Sequence, residues 1–355
     1  MLAQIKVLGN NFAIMVINTI SLLLACSLFS ITSGSERLEL YVVSEQLRSN
    51  SVVSERTALQ FNSKARHLGF EGLGSTSPSY KAPLISKTFF PIFEYSNNIN
   101  SGNLNQTVQI GDYTFVGDEA SSAKSGMILG GGFLFGVKKF YGRGRYFDID
   151  LKASLAGAPK HDWLKVSNQA ISVCSKNHLT EWMFLDGCFN WRHSKRQFSD
   201  TTSKIAKTSL TSLFSIEQTF HESKIEFGRL MMDDYQQMQV SSNIKSLFPN
   251  GFKTNLQLKF GEKIKDLLAL NYSFNLSVTR RFNNQPLQLS LGQTSYDGGT
   301  FMSMPRDDLT RQLSLSYPAY KGFTITAGYS DTSSSIDFFS HSSPFVYISL
   351  PSWSF

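Results

Sequence analysis

The chain has 355 residues, 41% hydrophobic, 13% aromatic and only 17% charged, with a formal net charge of +7. A mean hydropathy of −0.15 and this composition argue against a disordered chain and against a long-helix protein rich in charge pairs. After the N-terminus no apolar run is long enough for a spanning helix, so a membrane-embedded reading requires a β-barrel.

Residues 1–34 read as an export signal. Lys6 gives a positive start, 12–31 is an apolar run softened by Asn18, Thr19, Ser21 and Ser27, and "ITSGSE" offers small residues for cleavage before Ser35. Two rival readings exist: a retained anchor, since about 20 apolar residues can span, and a lipoprotein signal using Cys26 in "LLAC". Export is preferred because a barrel precursor must cross the inner membrane completely.

Residues 35–83 differ in kind. "SERLELYVVSEQLRSN" and "SVVSERTALQFNSKARHLGF" have helical spacing and serines placed to cap, followed by the linker "GLGSTSPSY". One or two short helices are expected, either in the periplasm or filling a lumen.

From residue 84 to 355 the chain alternates apolar and polar residues. "GFKTNLQLKF" (251–260) places Phe252, Leu256, Leu258 and Phe260 on one parity and Lys253, Asn255, Gln257 and Lys259 on the other; "LNYSFNLSVTR" repeats the code. About 14 strand-like runs can be counted, near 87–96, 126–140, 146–157, 164–176, 182–194, 201–216, 219–231, 234–247, 251–262, 267–281, 285–296, 309–318, 321–332 and 344–355. The expected fold is an all-β membrane protein, an antiparallel transmembrane barrel with lipid-facing apolar and lumen-facing polar residues. Asp148, Asp150, Lys152, Lys253, Asn255, Gln257 and Lys259 are the lumen-facing candidates, shaping solute passage or merely neutralising one another.

Turn chemistry supports this layout. "YGRGR" (141–145), "FPNGF" (248–252), "FNNQP" (282–286) and "PAYKG" (318–322) suit tight hairpins on the periplasmic side, whereas 97–125, 296–309 and 331–343 read as long outer loops. Cys174 and Cys188 flank a turn near Glu181, which brings them opposite each other; a cross-strand disulfide suits an oxidising compartment, the alternative being two unpaired small residues. The aromatic end, with Trp353 and Phe355 following Phe345 and Tyr347 on one parity, reads as an assembly signal for barrel insertion and equally as an interfacial girdle, although Ser349 and Pro351 interrupt it.

Catalytic patterns are not evident. The six histidines lack ligand spacing, no Gly-x-Ser-x-Gly elbow occurs, and "GGGF" (130–133) lies inside a strand run, so neither an enzyme nor a metal or cofactor is expected. Basic residues are dispersed, which argues against nucleic acid; the one dense cluster, "WRHSKR" (191–196), falls at a strand end where lipopolysaccharide phosphates or plain solvent would meet it. Expected partners are outer-membrane lipid, lipopolysaccharide and the barrel assembly machinery of a Gram-negative bacterium.

"FEYSNNINSG" (93–102) followed by "GDYTFVGDEASSAKSG" (111–126) resembles the opening of the barrel in surface lipoprotein assembly modifiers, the match touching Ser96, Asn98, Ile99, Asn100 and Gly126. That resemblance implies a barrel of about 14 strands that helps deliver a lipoprotein substrate to the cell surface. The family's periplasmic tetratricopeptide repeats have no counterpart in this sequence. The expectation is transport or translocation across the outer membrane; the alternatives are a passive porin-type channel for small solutes and a structural or adhesive barrel.

Overall fold

The computed structural model describes residues 35–49, 54–73, 82–110, 112–319 and 323–354. The export-signal reading of 1–34, Cys26 and Phe355 lie outside these residues.

Among the described residues two helices come first. α1 spans Glu36–Ser49 and α2 spans Glu55–His67. Ser54 caps α2 by accepting a hydrogen bond from the Thr57 amide (3.2 Å). The chain leaves α2 through Gly69 at φ +74°, where a Cβ would press within 2.6 Å of the Phe140 ring.

The remainder is a closed barrel of 14 antiparallel strands, each bonded to its sequence neighbour in the wall. They are β1 (Leu84–Ser96), then β4 (Gly126–Gly142), β5 (Arg145–Ala158), β6 (Leu164–Thr180), β7 (Met183–Arg196), β8 (Ser199–Ile216) and β9 (Thr219–Met232). The wall continues through β10 (Gln236–Leu247), β11 (Lys253–Gly261), β12 (Ala269–Phe282), β13 (Gln285–Phe301), β14 (Met304–Pro318), β15 (Thr324–Ser334) and β16 (His341–Ser349). A hairpin of β2 (Thr107–Ile110) and β3 (Tyr113–Val116) lies in the β1–β4 connection, and the short β17 (Trp353–Ser354) follows β16.

Alternation fixes the register. On the outer surface Leu256, Leu276, Leu291, Leu313 and Tyr329 stand in one row across five strands, and beside it Asn255, Ser277, Ser290, Ser314 and Gly328 form a row on the inner surface. A slip of one residue would turn the leucines inward and the serines outward, so the pairing is strongly specified. Outward Phe133, Phe147, Leu151, Phe189, Leu210, Phe227, Phe260, Leu289, Leu315 and Val346 are all exposed, giving the barrel an apolar belt on every side.

The ring closes at β1. Glu94 pairs with Tyr347, and Phe89 and Thr88 pair with Trp353 and Ser354, so five steps along β1 oppose six on the other segment. Trp353 stacks on outward Phe89 at 5.8 Å between centroids. That extra residue, in the stretch containing Pro351, separates faces that share a parity. Phe345 and Tyr347 pair with Gly328 and Thr326 on the inner surface, so they do not join Trp353 in an outer girdle.

Two of the three long outer loops also shrink. Residues 296–309 are mostly strand: β13 and β14 extend to a two-residue turn at Met302–Ser303, both at positive φ (49° and 68°), with a bulge between Tyr296 and Gly299 absorbing the Asp-Gly pair. Between β15 and β16 a 3-10 turn at Asp337–Phe339 replaces most of the expected loop. Among the described connections between wall strands only 97–125 is long, and it defines the loop end of the barrel; the helices lie at the opposite, helix end.

Candidate functional site

The lumen is the candidate site, and three structures occupy it: a helical plug, a folded-in loop and a polar cavity.

The plug is held by residues that interrupt the wall's polar inner face near the helix end. Phe184, Leu213, Phe220 and Leu247 point inward from β7 to β10, and Leu38 and Tyr41 of α1 pack among them with Trp182. Leu40, Ala65 and Leu68 bury against Phe140 and Tyr146 of β4 and β5. Arg37 donates two hydrogen bonds of 2.8 Å to the Asp186 carboxylate and lies 4.1 Å above the Phe184 ring. Burial pulls the Arg37 pKa down, but the hydrogen bonds and charge of Asp186 outweigh it and the net shift is upward. Lys176, directly across from Asp186 on β6, approaches the same carboxylate at 3.5 Å. Glu39 of α1 pairs with Lys64 of α2, and Glu36 with Lys138 of β4 at 3.5 Å. The Gly69 carbonyl accepts from the Gly144 amide (2.9 Å) at the β4–β5 turn, where φ is +63°. The helical segment is therefore docked inside the barrel's helix end.

Cys174 and Cys188 form a disulfide between directly paired positions of β6 and β7, as their spacing about Glu181 predicts. Both face the lumen two residues from the Lys176–Asp186 pair, so the bridge clamps the wall segment that receives Arg37.

At the loop end, residues 97–125 fold over the lumen. Asn100 is fully buried: its side-chain oxygen accepts from the Lys124 amide (2.8 Å) and the Gly102 amide (3.3 Å), and its side-chain nitrogen donates to the Ser122 carbonyl (2.8 Å). Asn98 bonds Gly102 in both directions (2.7 and 2.8 Å). Ile99 packs with Ile128, Ala156, Ala158 and Val166. Outer attachments stretch the loop across the mouth: Arg196 donates to the Asn98 carbonyl (2.9 Å), the Phe198 amide to the Asn100 carbonyl (3.0 Å), and Asn105 to the carbonyls of Phe338 and Ser340 (2.8 and 2.9 Å). Ser96, Asn98, Ile99 and Asn100 thus tie the base of this loop.

Beside the plug a polar cavity of about 880 Å³ runs along the inner faces of β7 to β16. Lys253, Asn255, Gln257 and Lys259 line it from β11, and Ser290, Gln312, Ser314 and Thr326 line it from β13, β14 and β15. Asp148, Asp150 and Lys152 face inward from β5 but do not line it; Lys152 sits 5.0 Å over the Phe90 ring. Alternation alone, carried to the neighbouring strands, would have added Arg192, Lys207, Glu226, Gln239 and Gln288, all of which line the cavity. Among its described lining residues Arg192, Lys207, Lys253, Lys259, Arg280 and Arg281 are cationic and Glu226 is the one carboxylate. Lys207 and Lys224 both pair with Glu226, at 3.2 and 2.7 Å. The cluster 191–196 is split by its own strand: Arg192 lines the cavity, Arg196 holds the loop, and Trp191, His193 and Lys195 face outward. Among the described residues no group of three or more His, Cys, Asp or Glu is arranged to hold a metal ion.

No family model and no curated protein matches the chain. Among solved structures it is similar to a BenF-like porin from Pseudomonas fluorescens Pf-5, at 7% identity and a TM-score of 0.38 over 77% of this chain and 98% of that one. Similar matches are Pseudomonas aeruginosa OccK9 (8% identity, TM-score 0.40, 78% and 99% covered) and Pseudomonas aeruginosa OpdK solved with vanillate (7%, 0.40, 76% and 98%). Nothing in these comparisons supports the resemblance to surface lipoprotein assembly modifiers, whose matching residues here have a local task in the loop base.

Proposed function

We propose that the protein is an outer-membrane channel for small polar solutes, with a preference for anions. The polar cavity beside the plug carries this reading. It reaches the helix-end turns at Gly251 and Asn284 and is lined by six cations against one carboxylate. Such a surplus in a low-dielectric wall raises the local anion concentration, by about tenfold or more for a focused field. The continuous exposed apolar belt supports membrane insertion, since a soluble monomer rarely exposes so much apolar surface. In this reading the helix end faces the periplasm and the loop end the cell exterior. The plug packs against strands between β4 and β10 near the helix end, and solute passes beside it through the cavity along β7 to β16.

Planar-bilayer conductance of the folded protein tests the proposal. Steady conductance is expected, with a reversal potential in a salt gradient showing chloride favoured over potassium. Removing residues 35–73 should enlarge it without abolishing the heat-modifiable barrel on a gel. A folded barrel that stays silent both with and without the plug would contradict a channel role.

A further inference from the structure

A second charged surface lies on the barrel's exterior. Lys204 of β8 and Arg229 of β9 face outward and are exposed. Lys204 pairs in register with Met231 and Arg229 with Ala206, which makes the two cations diagonal neighbours, with Cβ atoms about 7 Å apart. Among the described residues neither is paired with a carboxylate; Arg229 donates only to the Gln236 side chain (2.5 Å). Trp191 stands in register beside Lys204 and stacks on His193 at 6.1 Å between centroids, with the planes 12° apart. Lys195, nearer the loop end, is already neutralised by Asp200 at 3.2 Å.

Their height on the wall matters. The outward positions of β8 below Lys204, from Ala206 through Leu210 and Phe214 to Ile216, cover about 25 Å along the axis at normal strand rise and tilt, the usual height of a barrel's apolar band. On β9, Arg229 is the first outward residue above Phe227 and Ile225. Both cations therefore sit at the upper border of the apolar band, with an indole beside them as in interfacial belts. Two adjacent cations repel unless an anion joins them, and at this border the available anions are lipid phosphates.

We propose that Lys204 and Arg229, flanked by Trp191, bind a phosphate of lipid A, so that the outer wall of β7–β9 carries a lipopolysaccharide molecule. The assignment rests on the reading of the chain as an outer-membrane barrel with its loop end outward, because lipopolysaccharide occupies the outer leaflet.

The test uses the full-length folded protein in detergent, titrated with diphosphoryl lipid A and separately with phosphatidylglycerol while thermal unfolding is followed. Lipid A should raise the midpoint, and a Lys204→Gln/Arg229→Gln variant should need about 30-fold more lipid A for the same rise, each single variant about fivefold more. Lys165→Gln, an outward lysine on β6, serves as a control that should titrate like the parent. A heat-modifiable gel shift establishes folding of each variant, and if the double variant does not fold, the two single variants decide. An unchanged titration in the folded variants, or an equal response to phosphatidylglycerol, overturns the proposal. Membrane fractionation separates the two readings: a barrel absent from the outer membrane defeats the underlying localisation, whereas one present there but indifferent to lipid A defeats only this site.

Discussion

Asp186 receives two cations, Arg37 from the plug and Lys176 from its own sheet, and the arrangement makes the two partners unequal under mutation. Replacing Arg37 with alanine removes a bidentate bond and a stacking contact, yet leaves Asp186 facing Lys176. Replacing Asp186 with alanine leaves buried Arg37 and half-buried Lys176 facing each other with their shared hydrogen-bonded carboxylate gone, an outcome that typically costs about 3–5 kcal/mol, against about 1–3 kcal/mol for the loss of a charged hydrogen-bond donor. Both variants should release α1 while preserving the barrel, with Asp186→Ala the more damaging. Hydrogen exchange of α1 amides would report this ordering, and equal protection in the two variants would contradict it.

Elements of this molecule differ in how far alternation reveals them. Wall strands such as β11 and β12 are legible because nearly every residue obeys one period, Thr254 and Arg280 at outward positions being the breaks, and Lys253, Asn255, Gln257 and Lys259 fall on the lumen side for that reason alone. The plug site is written in violations of the same period: Phe140, Tyr146, Phe184, Leu213, Phe220 and Leu247 are apolar at inward positions near one end of successive strands. Read singly, each looks like noise; only pairing shows that they share one surface. The β13–β14 turn was hidden for another reason, since Met302 and Ser303 adopt positive φ without the Asn or Gly that normally signals it. Two element-scale predictions follow from what pairing adds. Asn100→Ala would strand the Lys124 amide and the Ser122 carbonyl inside the loop base, the Gly102 amide keeping its bond to Asn98, a local loss of about 2–4 kcal/mol, seen as faster proteolysis within 97–125 and noisier conductance; a loop as resistant as the parent would deny Asn100 this role. Reducing the Cys174–Cys188 bridge, whose partners are 14 residues apart, should lower barrel stability by up to about 3 kcal/mol and the thermal midpoint with it, and because the clamp lies beside Asp186, α1 should lose protection before the wall does.

At the scale of the whole molecule, the lumen is divided lengthwise. Apolar inward residues collect where α1 docks, on strands between β4 and β10; the lining cations Arg192 and Lys207 share β7 and β8 with them, whereas Lys253, Lys259, Arg280 and Arg281 stand on β11 and β12, which contribute no residue to either helix cluster. This separation makes the charge of the open side testable without disturbing the plug. Lys253 and Lys259 project from β11, which makes no contact with the helices in either buried cluster, and their neighbours in register are neutral: Thr279 and Ser273 on β12, Leu247 and Ser241 on β10. Changing both to glutamate moves the lining from six cations and one carboxylate to four and three. The strands pair through backbone and outward leucines, so barrel folding should be kept. The proposed anion preference should then fall towards neutrality, and adding Arg192→Glu, which leaves three cations against four carboxylates, should take it past neutrality into cation preference, read as a change in sign of the reversal potential. Lowering ionic strength should enlarge the difference between parent and variants, because screening of lumen charges weakens as the Debye length grows from about 10 Å at 0.1 M towards about 30 Å at 0.01 M salt. If the reversal potential of folded, conducting variants stayed at the parent value at both salt concentrations, ions would not be passing along β11, and the route through the barrel would have to be sought elsewhere in the lumen.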